Sequence, residues 1–289
     1  MLLAMIYRQL IPALLLLLLI PALTEGQSGW TRNKGGWYAQ AEAMSFSSNN
    51  YYSTEGMRNE GNTFFSYGLK TYAEYGWSDR LTSIFNWPLL KMQHFSGTGT
   101  AVGLGDVQLG VKYALSKKWP VAIGLAVDIP TDDGKLFAQA KEENDLGIRE
   151  RVNLPTSDGE FNFRANLAVS QSFNGGHSYA SLYGGVNLRT QGYSHQWQSG
   201  IELGQLLFDR LWVIGKLNQQ GRFSDEVNRS VSFLYGEGTT YSAYNVSLLY
   251  KVTDHFLITA AYQDFTDFLI AKRNLYDGGT VSVGVAFEY

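Results

Sequence analysis

The chain ends in GTVSVGVAFEY, residues 279–289. Val281, Val283, Val285, Phe287 and Tyr289 fall on one face of an extended strand, and Ser282, Gly284, Ala286 and Glu288 on the other. Strict alternation of this kind is the mark of a strand with one apolar and one polar face. An aromatic residue in last place means that the final strand runs to the very end of the chain. Such a strand needs a partner, because a sheet edge left open carries a row of unpaired N–H and C=O groups.

Working backwards, the same period of two recurs. In EFNFRANLAVS, residues 160–170, Phe161, Phe163, Ala165, Leu167 and Val169 share one face and Arg164 lies opposite. GDVQLGVKYAL, residues 105–115, sets Val107, Leu109, Val111, Tyr113 and Leu115 against Asp106 and Lys112. In TFFSYGLKTYAEY, residues 63–75, Lys70 and Glu74 stand across from Phe65, Tyr67, Leu69 and Tyr75. Between Val121 and Ile129 apolar residues alternate, with Asp128 facing away. None of these four strands carries a charge on its apolar face.

Extending the pattern predicts twelve strands, near 36–46, 62–75, 81–93, 105–115, 121–130, 161–172, 178–189, 198–208, 211–219, 240–252, 256–266 and 279–289. The facing of 81–93 and 256–266 stays ambiguous. Five short connections (76–80, 116–120, 174–177, 209–210 and 253–255) alternate with six longer ones (47–61, 94–104, 131–160, 190–197, 220–239 and 267–278). Twelve up-and-down strands with both termini on one side need five turns there and six loops on the other.

Alternation alone is shared by soluble β-sandwiches and membrane barrels. Other features favour the membrane. MLLAMIYRQLIPALLLLLLIPALTEG, residues 1–26, has one basic residue, Arg8, then an apolar stretch, and reads as a secretory signal peptide cut before Gln27. The connections alternate in length, as in outer-membrane barrels. Aromatic residues collect near strand ends, among them Tyr75, Trp77, Phe85, Trp87, Trp119, Trp197, Phe208, Trp212 and Tyr250. In lipid the closing strand must bond to the first, around Trp37–Phe46, or leave groups that each cost several kcal/mol. The expected fold is therefore one all-β domain over residues 27–289: an antiparallel, up-and-down transmembrane β-barrel of about twelve strands, of the bacterial outer-membrane type.

Composition narrows the function. Charged residues are 17% of the 289, and the net charge of −3 with no basic run argues against nucleic acid. The absence of cysteine removes disulfides, thiolate metal sites and thiol nucleophiles. TDDG and EEND within 131–160 lack the spacing of a calcium loop, so no metal or cofactor is expected. The four histidines (His94, His177, His195 and His255) fall in or beside connections. Ser96 near His94 and Ser194 next to His195 are serine–histidine neighbours, and residues adjacent on a strand face opposite ways. A barrel hydrolase is the weakest reading, and the chain is expected not to be an enzyme.

Polar faces turned inward line a channel or pair across it. The candidate lumen-lining residues are Lys70, Tyr72, Glu74, Asp106, Lys112, Asp128, Arg164, Glu202 and Lys216, joined by Glu42, Lys251 and Glu288. Mixed signs predict weak ion selectivity. Whether the lumen is open or plugged is left undecided by the pattern. Within 131–160, KLFAQAKEEND is compatible with a short amphipathic helix.

GLGDVQLGVKYAL, residues 103–115, and YGLKTYAEYGWSDRLTS, residues 67–83, also resemble motifs of a bacterial outer-membrane β-barrel family named for the MetA pathway of phenol degradation, the likeness being strongest over 63–130. The resemblance implies a porin-like transporter barrel with no catalytic residues to carry over. It leads to a narrow channel for small solutes, hydrophobic or aromatic ones included. Its partners would be outer-membrane lipid and the barrel assembly machinery, which reads C-terminal strands ending in Phe or Tyr. The alternative is a structural or surface-interaction barrel with a plugged lumen.

Overall fold

The computed structural model describes residues 27–116, 118–224 and 233–289. The predicted signal peptide lies outside the described residues. Twelve long strands follow in chain order: β1 (Trp37–Tyr52), β2 (Arg58–Ser78), β3 (Leu81–Phe95), β4 (Val107–Ala114), β5 (Val121–Ile129), β6 (Asn162–Phe173), β7 (Ser178–Arg189), β8 (Gln196–Leu207), β9 (Leu211–Arg222), β10 (Tyr241–Lys251), β11 (Phe256–Thr266) and β12 (Thr280–Glu288). Each pairs antiparallel with its sequence neighbours. The ring closes where β12 pairs with β1, from Phe46 opposite Thr280 to Tyr38 opposite Glu288. Trp37 and Tyr289 exchange both backbone hydrogen bonds, at 2.8 and 2.9 Å, so the seam extends to this pair. No edge of the wall is left for lipid to desolvate.

Side chains sort as the alternation requires. Leu109, Val111, Leu125, Phe163, Leu167, Ile201, Leu203, Val246, Leu248, Ile258, Val281 and Val283 are exposed on the outer surface. Trp37, Tyr75, Trp77, Trp119, Phe173, Phe208 and Tyr250 add a band of exposed aromatics near the short-turn end. Phe163 and Phe173 both face outward on β6. The ten steps between them, at about 3.3 Å each and tilted by about 40°, span about 25 Å, the height of a barrel's apolar belt. Trp212 departs from the expected band. It is buried inside the barrel against Tyr179, at 5.5 Å between ring centroids.

Two local expectations need correction, and one ambiguity is explained. The connection expected over 47–61 shrinks to 53–57, because β1 and β2 continue pairing to Tyr52 opposite Arg58. The ambiguous facing of β3 has a physical origin at Pro88. Thr82 and Gln93 are both buried although one is even-numbered and the other odd. Between them the pairing with β2 slips from Thr71–Trp87 to Leu69–Leu90. Proline cannot donate to the ladder, and a bulge there inverts the inward phase for the rest of the strand. Finally, the segment expected to be helical forms a hairpin, Phe137–Gln139 against Arg151–Asn153. Ala138 is buried and Phe137 exposed, a period of two within the loop.

Candidate functional site: the barrel lumen

Inward side chains at mid-depth form a polar belt whose charges stand in opposed pairs. Glu42 sits directly across the ladder from Lys70, and Glu202 from Lys216. Arg164 Nε meets Asp128 Oδ2 at 2.7 Å, and Gln108 Nε2 donates to Asp128 Oδ1 at 2.7 Å. Tyr179 donates to Glu202 Oε1 at 2.6 Å. Opposite charges facing each other on one rung cancel most of their field along the axis. The belt surrounds two compartments, of about 240 and 200 Å³. Both exceed by far the roughly 10–15 Å³ that one water needs.

At the short-turn end the lumen has an apolar floor of Tyr38, Tyr72, Tyr179, Trp212, Ile214, Leu249, Leu257 and Ala286. Into this floor the chain before β1 is inserted. Trp30 packs edge-on against Tyr179, with centroids 5.5 Å apart. Gly29 N donates to Ser170 Oγ at 2.8 Å, and a Cβ at Gly29 would lie 2.0 Å from the Pro120 carbonyl oxygen. Only glycine passes there. Arg32 Nε reaches Glu74 Oε2 at 2.6 Å, and its backbone N donates to Thr82 Oγ1 at 2.8 Å. Glu74 also takes the Tyr72 hydroxyl at 2.7 Å and Lys112 Nζ at 3.4 Å. The Glu74 carboxylate, wholly buried, thus holds one cation from the wall and one from the inserted segment. Above the floor, Lys216 Nζ donates to Gln27 Oε1 at 2.7 Å, so the segment runs from the mouth to the belt.

At the long-loop end the connections fold inward. Phe64, Ala101, Ala138 and Leu154 are buried together with Phe46, Phe95, Leu136, Val152, Phe233 and Tyr276 around them. Beside this apolar ceiling, Arg189 faces three carboxylates: it is bonded to Glu160 and stands 3.5 Å from Asp158 and 3.8 Å from Glu237. One cation does not neutralise three acids. Burial, with Asp158 and Glu237 adding repulsion, pushes the Glu160 carboxyl up to about 7. Asp106, which accepts the backbone N–H groups of Thr131 and Asp158, is pushed by burial up to about 6. Gly103 and Gly105, beside Asp106, are needed for close approach, since a Cβ would lie 2.3 Å from Thr156 Oγ1 and 2.6 Å from Pro88 Cβ respectively.

The predicted lumen residues therefore divide. Lys70, Tyr72, Glu202 and Lys216 line the larger compartment and Arg164 the smaller. Asp128 is tied to Arg164, Glu74 and Lys112 lie in the floor, and Asp106 belongs to the ceiling. Lys251 and Glu288 pair with each other at 3.6 Å near the turn end. Sequence reasoning overlooked the inserted segment, whose signals were slight: Gly29 and Trp30 in a polar stretch. The belt's carboxamides, among them Gln40, Asn86, Asn218, Asn245 and Gln263, were also missed, because neutral polar residues suit any solvated strand face.

The serine–histidine neighbours do not act together. Ser194 donates to Glu237 at 2.7 Å, while His195 Nδ1 accepts the Arg189 backbone N–H at 3.1 Å. His94 stacks on Phe65, centroids 4.8 Å apart. Among the described residues no group of three acidic or histidine side chains is placed to hold a metal ion.

No family model and no curated protein matches the sequence. Solved structures do. The COG4313 outer membrane channel from Pseudomonas putida F1 is similar with a TM-score of 0.64 at 12% identity, over 90% of this chain and 97% of that one. The translocator domain of autotransporter NalP from Neisseria meningitidis gives 0.51 at 9%, over 89% and 90%. The beta domain of the Bordetella autotransporter Brka gives 0.51 at 12%, over 89% and 100%. These likenesses establish the fold: a closed twelve-stranded antiparallel barrel of the outer-membrane type.

Proposed function

We propose that this barrel is a narrow outer-membrane channel for small solutes, shut at rest by its own N-terminal segment at one end and narrowed by its loops at the other. The carrying observation is the pair of compartments inside a polar, charge-balanced belt. A lumen filled only for stability would be packed through, with side chains or loops in that volume. The belt's polarity favours polar solutes over the hydrophobic ones that the sequence resemblance implies.

The floor is the movable part of this reading. Residues 27–36 touch the wall through a few discrete bonds and cross it at one glycine, whereas β-strand pairing holds everything around them. Deleting residues 27–33 from the mature chain should give steady conductance in a planar lipid bilayer, where the full chain gives brief openings or none. Thr31→Cys with Asp79→Cys would tether the segment where Thr31 Oγ1 donates to the Asp79 carbonyl at 2.9 Å. In the otherwise cysteine-free chain the oxidised pair should hold conductance at zero and a reductant should release it. Silence of the folded deletion variant toward ions and small solutes alike would favour the second reading, a structural barrel with a plugged lumen. That reading draws on the tight ceiling of loops around Phe64 and Leu154.

A further inference from the structure

The larger compartment is bounded by Gln40, Asn218, Asn245, Gln263, Ser282 and the Tyr72 ring, together with the opposed charges Glu42, Lys70, Glu202 and Lys216. From this lining we infer that the compartment is a binding site for a neutral, polyhydroxylated solute of about monosaccharide size. The inference rests on the channel reading for its access route, and on the lining for its chemistry.

A carboxamide offers two N–H donors and an oxygen with two lone pairs, so one neighbour does not exhaust it. Asn218 Oδ1 accepts the Tyr183 hydroxyl at 2.6 Å, which leaves its amide hydrogens to the compartment. Asn245 Oδ1 accepts Ser247 Oγ at 2.7 Å and keeps its amide hydrogens likewise. Gln40 donates to Glu42 Oε1 at 2.5 Å with one of its two hydrogens. Groups that both give and take hydrogen bonds match hydroxyls, which do the same. Two acids and two bases, each facing its opposite on a rung, leave no net charge in the lining to select an ion. A hydrocarbon would fit the volume but strip water from the amides without replacing their hydrogen bonds, which is the costly case. The Tyr72 ring, which lines the compartment at the floor, offers an apolar surface against which a sugar ring can lie.

Equilibrium dialysis of the folded full-length barrel in lipid nanodiscs, with radiolabelled D-glucose, tests this and tolerates slow entry past the plugs. Saturable one-site binding is expected. Asn218→Leu and Gln263→Leu should each weaken it about two- to tenfold, the worth of one neutral hydrogen bond. Gln263→Asn, which keeps the amide, should bind within about twofold of the parent, and so should Gln205→Leu near the turn end, which lies outside the lining. Heat-modifiable migration on gels checks that each variant is folded. Absence of saturable glucose binding, tighter binding of toluene or benzoate, or indifference to the lumen variants would overturn the inference. Glucose flux through the chain lacking residues 27–33, with no saturable binding, sinks the site and leaves the channel. Binding sensitive to Asn218→Leu without any flux does the reverse.

Discussion

Arg32→Ala should loosen the N-terminal segment while leaving the barrel intact. The Arg32 side chain is 11% exposed and Glu74 wholly buried, with 2.6 Å between Nε and Oε2. A hydrogen bond to a charged group contributes about 1.5–3 kcal/mol. The guanidinium also lies 5.0 Å over the Tyr38 ring, a contact worth about 0.5–1 kcal/mol at a partly exposed site. Glu74 does not become an orphan, because Lys112 and the Tyr72 hydroxyl remain beside it. The Arg32 backbone bond to Thr82 and the Trp30 contact also survive. A net loss of about 2–3 kcal/mol would multiply the population of the unseated segment by about 30 to 150. Single-channel recording at constant voltage reads this as more frequent or longer openings, with unchanged unit conductance. Equal opening in Arg32→Ala and the parent, alongside free conduction when residues 27–33 are deleted, would show that the ion pair is not what holds the segment. Glu74→Leu is the contrasting change. It strands Lys112, which is 1% exposed, and should cost the barrel itself about 3–5 kcal/mol, visible as a lower temperature of heat modifiability.

Further outcomes follow from the same geometry. Gly29→Ala should open the channel, because the added Cβ collides with the Pro120 carbonyl, which the Ser170 N–H holds in the wall at 2.8 Å, so the inserted segment is what gives way. Val111→Arg, on the lipid face, should cost about 2–4 kcal/mol of insertion and be seen as lost folding into liposomes, whereas Gln108→Arg, inside, should fold. The loop ceiling should respond to pH. A carboxyl whose value is raised in the folded state holds its proton more tightly there, so its contribution is complete below the unfolded value of 4.5 and lost as pH climbs through about 7. Conductance of the chain lacking residues 27–33 should therefore rise between pH 5 and 8, and Glu160→Gln should flatten that rise.

The wall was legible because a lipid-exposed strand has little freedom in its pattern: outward positions at mid-depth must be uncharged and are mostly apolar. Val281, Val283 and Val285 could therefore be placed on the outside from their spacing alone. The limits of that rule also explain the misses. Pro88 carries a bulge that switches β3 from even to odd positions facing inward, so no single alternation describes 81–93. Leu136, Ala138 and Leu154 belong to loops that turn back over the lumen, and neighbouring charges in KLFAQAKEEND masked their alternation. Residues 27–36 have no repeat at all, because an inserted segment touches different strands at each step. Its contacts to Ser170, Glu74 and Thr82 lie 141, 42 and 50 positions away. The belt's charges could be named from sequence, but their mutual cancellation depends on register, which sets Glu42 against Lys70 and Glu202 against Lys216.

Tyr289 bonds to Trp37, and Gly36, immediately before Trp37, is hydrogen-bonded to both Asn33 and Gly76. Seam and stopper share a hinge one residue wide. A barrel lacking β12 would present two raw sheet margins and, next to them, a loosely anchored segment in the lumen. Pairing of β12 with β1 thus fastens the wall and seats the stopper in the same act, so a copy lacking β12 would be leaky as well as open-edged, and prone to degradation on both counts.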